Sequence, residues 1–416
     1  MATPRWVGNA LAVAQVDTLT VGGTLEADDR LIATINGKAL NVAAGSTVLA
    51  TAATTFAAAW EAADATYYPE FAEATAAATS GGALTVTADL PGVPFTVTAS
   101  TTEAGGGAAD AQTFVRAAVT ANAGPNVWGT AVNWSTGAVP VAGDTAYIDN
   151  TDIPILYDLS QAGATLAALV IAQSFEGDVG LPKANEAGGY PEYRSEYLAV
   201  DCSSIVIGLG PGNGSGRLKI NSGTVQTAVV VHNTGSPAEV NLEAFLWKGT
   251  HASNTLVVRG NASVGVAVFG SETAVIATLT LEGNARVRCG AGTTLTTVNV
   301  NGGTLEINSN VTTLTVYDGV VTVSGTAAVT TLNLYGGTVI YNSTGTLGTA
   351  TVGEGGFLDF SQGAGAVTVS NPIDVYNVNP VNDPDKRVAS LVIDYNGTTP
   401  NPALGTNFRL TRAATA

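Results

Sequence analysis

Residues 296–360 read TTVNVNGGTLEINSNVTTLTVYDGVVTVSGTAAVTTLNLYGGTVIYNSTGTLGTATVGEGGFLDF. With Thr296, Thr312 and Thr330 set in one register, successive units of 16, 18 and 18 residues coincide. Val298, Leu314 and Leu332 fall at offset two, and Val300, Val316 and Leu334 at offset four. A turn follows in each unit: Gly302-Gly303, Asp318-Gly319, Gly336-Gly337. Then Leu305, Val321 and Val339 fall at offset nine, Ile307, Val323 and Tyr341 at offset eleven, and the units close on Val311, Val329 and Leu347. A fourth unit from Gly348 carries Ala350, Val352, Gly355-Gly356, and then Leu358 and Phe360 displaced by one residue. Upstream, Leu279, Leu281, Gly283, Val287 and Cys289 show the same displacement. At least five consecutive units are therefore visible.

Apolar residues every second position make strands, and glycine pairs between them make turns, which leaves no residues for a helix. A propeller blade needs about 40 residues, and a leucine-rich repeat needs a leucine and asparagine consensus that is missing here. Units of this length match one winding of a β-helix, in which each strand pairs with its equivalent one coil away, about 4.8 Å along the axis. The aliphatic columns point inward, and Thr, Asn and Ser fill the outward positions. The expected fold class is mainly β: a single-stranded β-helix (solenoid) body with a small N-terminal α+β domain. Such a rod has open strand edges at its ends and needs caps.

Working outward, the β-helix is expected to span 127–376. Trp128 and Trp134, with Pro140 and Gly143-Asp144 behind them, are placed as its first cap, with a sugar platform as the other reading of the pair. Residues 181–197 (LPKANEAGGYPEYRSEY) break the strand pattern and form an inserted loop. Residues 377–416, rich in Pro and Asn, are expected to form an irregular C-terminal cap or tail. At the other end, 1–100 form the anchoring domain. It has a strand at 16–21, a hairpin of 31–35 and 39–42 around Asn36-Gly37, a helix at 47–64, and strands at 71–77, 84–88 and 95–99. Residues 101–126, which include TTEAGGGAADAQ, read as a linker.

Composition narrows the function. Of 416 residues, 45% are hydrophobic and only 12% charged, with 49 glycines, which excludes a disordered chain and a charge-laced helical bundle. A net charge of −17 argues against nucleic acid as a partner, because phosphate binding needs clustered Lys and Arg. No apolar run suggests a secretory signal or a membrane span, so no membrane insertion is expected. Cys202 and Cys289 are too far apart in sequence for a disulfide framework or a metal motif, and two histidines, His232 and His251, cannot supply a triple-His zinc site. No metal and no cofactor are expected.

Candidate binding residues are few. Tyr190, Tyr193 and Tyr197, beside Glu192, Arg194 and Glu196, suit either a glycan face or a clamp on a neighbouring subunit. Trp247, with Lys248 and His251, is a second aromatic and basic cluster. Asp149 with Asp152, and Asp383 with Asp385, are close enough in sequence to suggest the paired carboxylates of glycoside hydrolysis, but each sits in a turn-forming stretch where Asp ordinarily shapes the backbone. The string Gly208–Gly212 imitates a phosphate loop without the following helix. No catalytic residue is assigned.

The W-x4-N-W…P-x2-G-D segment from Trp128 to Asp144, leading into glycine-turn coils, resembles the start of autotransporter-type and related right-handed β-helix passengers. The whole chain resembles structural proteins of tailed bacteriophages and prophages in which a small N-terminal domain carries a β-helical spike, fibre or decoration body. The resemblance implies a structural virion surface protein. It would be a homo-oligomer, a trimer, assembled in the host cytoplasm, meeting other virion proteins such as capsid or tail and a host surface glycan. Two further readings stand beside it: a carbohydrate-binding or polysaccharide-degrading β-helix, and an extracellular surface-layer or adhesin protein. Polysaccharide degradation is the only enzymatic activity that fits such a body.

Overall fold

The computed structural model describes residues 2–63, 68–104, 111–185, 188–363, 365–376, 381–395 and 408–411. The chain is mainly β, 48% strand and 6% helix, with a parallel β-solenoid of about 13 turns and small antiparallel sheets at the N-terminus.

The N-terminal part builds two sheets from β1 (Val16–Gly22), β2 (Arg30–Ile35), β3 (Lys38–Ala43), β4 (Ala74–Ala78), β5 (Ala83–Ala88), β6 (Val97–Thr102) and β7 (Thr113–Thr120). One sheet runs β4-β5-β1-β7 and the other β3-β2-β6, every pairing antiparallel. Asn36 and Gly37 both take positive φ, as the two-residue hairpin requires. The helix α1 (Leu49–Glu61) buries Ala52, Ala53, Phe56, Ala57 and Trp60. Phe56 meets Phe114 edge-on at 5.0 Å and Trp60 meets Phe71 at 4.7 Å, so one aromatic layer joins helix and sheet. Asp64, the expected helix end, lies outside the described residues. Three boundaries differ from the sequence reading, one being the strand expected at 95–99, which runs over Val97–Thr102. Phe71 sits in a 3-10 turn, Pro69–Glu73, and the strand begins at Ala74. The stretch read as linker contains β7, an edge strand that buries Phe114 alone and so shows little alternation in composition.

In the solenoid the parallel ladder follows the predicted columns. From Ala146 the inward position passes through Leu169, Ile205, Val229, Leu256 and Leu279 to Val298, Leu314, Leu332, Ala350, Ile373 and Ile393, one residue per coil. All of these are buried. A second side stacks Leu305 on Val321, Val339 and Leu358, and a third stacks Leu295 on Val311, Val329 and Leu347. The one-residue displacement at Leu358 and at Val287 is real: Leu358 pairs with Val339, and Val287 with Leu305. Glycine is required at the corner between the first two sides. Gly319 has φ +93, and a Cβ there would lie 2.5 Å from the Gly303 carbonyl oxygen of the neighbouring coil; at Gly337 the corresponding distance is 2.4 Å.

The tail departs from expectation. Val381–Asn382, Leu391–Tyr395 and Phe408–Thr411 continue the parallel ladder, so the coils run beyond residue 376. Pro384 falls in a turn between these short strands, and proline at the corners disguised their alternation. The rest of the tail, 377–380, 396–407 and 412–416, lies outside the described residues. Among the described residues no helix is long and apolar enough to cross a membrane.

Candidate functional site

The inserted loop folds back on the N-terminal domain. Tyr190 and Tyr193 stack at 6.2 Å with an interplanar angle of 18°. Both phenols donate to the Glu73 carboxylate, Tyr193 at 2.5 Å. Asn185 Nδ2 from the same loop and Asn36 Nδ2 from the hairpin donate to it as well, each at 2.9 Å. Arg194 stands 3.8 Å from Glu73, forks onto Glu192 at 2.8 and 3.0 Å, and donates to the Pro94 carbonyl at 3.0 Å. A carboxylate taken this far from water needs such a set of donors, and charge-assisted bonds are the stronger kind. Burial above all, with the Glu73 carboxylate adding to it, pushes both phenols well above the usual tyrosine range, so they stay protonated and donate. Tyr190 and Tyr193, read as a glycan face or as a clamp on a neighbouring subunit, thus latch this chain's own N-terminal domain to its own rod.

Tyr197 is buried under the Lys248 ammonium, 3.9 Å from the ring centroid, and Lys248 pairs with Glu272 at 3.0 Å. Trp247 is 1% exposed and occupies the inward column between Ile220 and Val266. Its alternation places it with the aliphatic residues, so the ring fills the core instead of facing solvent, and its indole Nε1 meets no acceptor among the described residues. Lys219 is fully buried between Glu196 at 3.4 Å and Glu239 at 3.2 Å. Burial holds the Glu196 carboxyl above its ordinary value, and the Lys219 ammonium offsets only part of that rise. Loops joined by paired charges therefore clothe the early coils.

Trp128 and Trp134 pack on the first coil with a third ring that the sequence reading missed. Trp6 lies 6.5 Å from Trp128 and 5.4 Å from Trp134, and the latter two are 4.7 Å apart. All three are buried, and each indole nitrogen donates: Trp6 to the Ile153 carbonyl, Trp128 to Gln161 and Trp134 to the Trp128 carbonyl. The backbone of Trp6 also donates to the Tyr147 carbonyl, so the first residues of the chain belong to the rod, not to the anchoring domain. The only hint was a lone tryptophan outside any period. Glu73 was equally invisible, one acidic residue among alanines.

Between the N-terminal domain and the loop lies a cavity of about 250 Å³, lined by Glu73, Leu90, Tyr157, Leu181, Arg194 and Arg217 among others. Its charged groups are engaged: Arg194 with Glu192, Arg217 with Asp178 at 2.9 Å. Of the four carboxylates in the two Asp pairs, Asp149 and Asp383 have structural partners. Asp149 pairs with Arg5, and Asp383 accepts from the backbone amides of Arg387 and Val388. His251 Nδ1 accepts from Ser253 N within a turn. Cys202 and Cys289 are free and buried, and burial pushes both thiols up to about 12. No group of three or more His, Cys, Asp or Glu that could hold a metal ion occurs among the described residues. Comparison of the chain with protein-family models, with curated proteins and with solved structures finds no match.

Proposed function

We propose that this protein is a structural element of an assembled surface, a virion surface protein of a tailed phage of the decoration or spike/fibre type. The observation that carries the reading is the union of a disulfide-free solenoid of about 13 turns with an N-terminal domain latched to its side through Glu73. Parallel coils pair the backbone ladder groups of neighbouring coils, so the rod keeps its shape without cross-links. The small domain gives one end a distinct surface for attachment. Asp149, Asp383 and His251 are engaged in an ion pair and in turns, which favours a scaffold over an enzyme. Self-association, as a trimer meeting capsid or tail proteins, follows from the same reading. Sedimentation of the purified 41.7 kDa chain tests it. The expected result is a discrete trimer that labels the outside of particles when detected with antibody. A monomer at all concentrations that is absent from particles overturns it.

A further inference from the structure

Three half-exposed aromatic rings share one corner of the rod. Tyr317 is 55% exposed, Tyr335 49% and Tyr376 45%. Each follows the last inward residue of the first solenoid side, Val316, Leu334 and Val375, in the eighth, ninth and eleventh coils. The tenth coil has Gly353 at this position and carries no side chain between Tyr335 and Tyr376. Tyr317 and Tyr335 stack at 5.5 Å, 28° apart, and Val320, 37% exposed, extends the apolar surface around the corner. Scattered single apolar residues on a surface need no explanation, but a stacked pair of half-exposed rings, with a third two coils further along the same corner, marks a contact surface.

The surroundings select the occupant. Beside Tyr317 and Tyr335 run two columns of Thr and Asn, in register from Thr278 and Thr280 to Thr349 and Thr351, in which Thr315 is buried; in the coil of Tyr376 the second column passes to Asp374. The exposed carboxylates of Asp318 and Asp374 flank the line. Ring faces suit the C–H face of a sugar, hydroxyls and amides both give and accept hydrogen bonds, and carboxylates accept from hydroxyl pairs. An anionic polymer would be repelled by a chain of net charge −17, and a second copy would bring the same carboxylates against each other. We propose that this corner binds an uncharged polysaccharide whose sugar rings rest on Tyr317, Tyr335 and Tyr376.

Electrophoresis of the whole chain through gels containing neutral glucans, mannans or galactans tests the proposal, with hyaluronate and polylysine as charged probes. The expected result is retardation by at least one neutral polymer, weakened about tenfold or more in Tyr317→Ala/Tyr335→Ala. Both rings are half exposed, so the variant should keep the parent melting temperature, and Tyr68→Ala, an exposed ring elsewhere, should bind like the parent. Retardation by no neutral polymer, or equal retardation of parent and double variant, overturns the assignment. So does binding to polylysine alone, or loss of self-association in the double variant, which would make a second copy the occupant.

Discussion

The coils between residues 274 and 360 and those between 145 and 250 share the same inward columns but hold their register by different means. In the later run, strands of 13 to 15 residues such as Thr293–Ile307 and Val329–Tyr341 pass around the glycine corner without interruption. In the earlier run, strands of four residues such as Leu218–Asn221 and Ala228–Val231 alternate with long loops. There the polar pins are specific: the tryptophan cap, the Glu73 latch, and Lys219 between two glutamates. A strict repeat makes each coil the template for the next, so no single side chain is decisive. An irregular coil depends on individual contacts.

The early coils should be most vulnerable at the tryptophan cluster. Trp6→Ala should cost about 3–5 kcal/mol in chemical unfolding, because it opens a cavity under two further rings. A cost below about 1 kcal/mol would mean that the first coil does not rely on this residue. In the regular run, Leu332→Ala should cost about 2–4 kcal/mol, and the equivalent change at Leu314 should cost nearly the same. Unequal costs at these stacked positions would contradict the template picture.

At the latch, Glu73→Gln should lower stability by about 1–3 kcal/mol, since a neutral amide replaces a carboxylate that accepts from four groups. The visible sign would be faster proteolysis of the N-terminal domain with the solenoid left intact. The pH dependence has a definite direction. The folded phenols of Tyr190 and Tyr193 have raised pKa values, so their contribution is complete below the ordinary tyrosine value of about 10 and is lost as pH rises beyond it. Small-angle scattering should show the domain detaching in alkali, and earlier in Glu73→Gln than in the parent.

The smallest effect is expected at the cysteines. Both thiols are raised to about 12, so at mildly alkaline pH a thiol reagent should leave the native chain unlabelled and modify both residues after unfolding. Their stabilising contribution is present below the ordinary thiol pKa and fades as pH climbs toward 12. Rapid native labelling of Cys289 would place it outside the inward column.

Much of the rod was readable because its rule is local. Valine or leucine every second residue, a glycine turn and a return after 16 to 18 residues place Val298, Leu314 and Leu332 in one column from sequence alone. The tail is less legible because short strands such as Leu391–Tyr395 stand among prolines and asparagines that read as irregular chain. The binding candidates fared differently. Trp247 obeys the alternation that buries it, while Tyr190 and Tyr193 stand in a loop whose destination no period describes.

The repeat alone determined that this protein winds into a β-helix, because inward columns and glycine corners are properties of neighbouring residues and their spacing. Which groups meet across the fold was decided only in three dimensions. Trp6 reaches Trp134 across more than a hundred residues, and Glu73 gathers donors from Asn36, Asn185, Tyr190 and Tyr193. Such contacts follow from where folded surfaces come together, and sequence spacing carries no record of that.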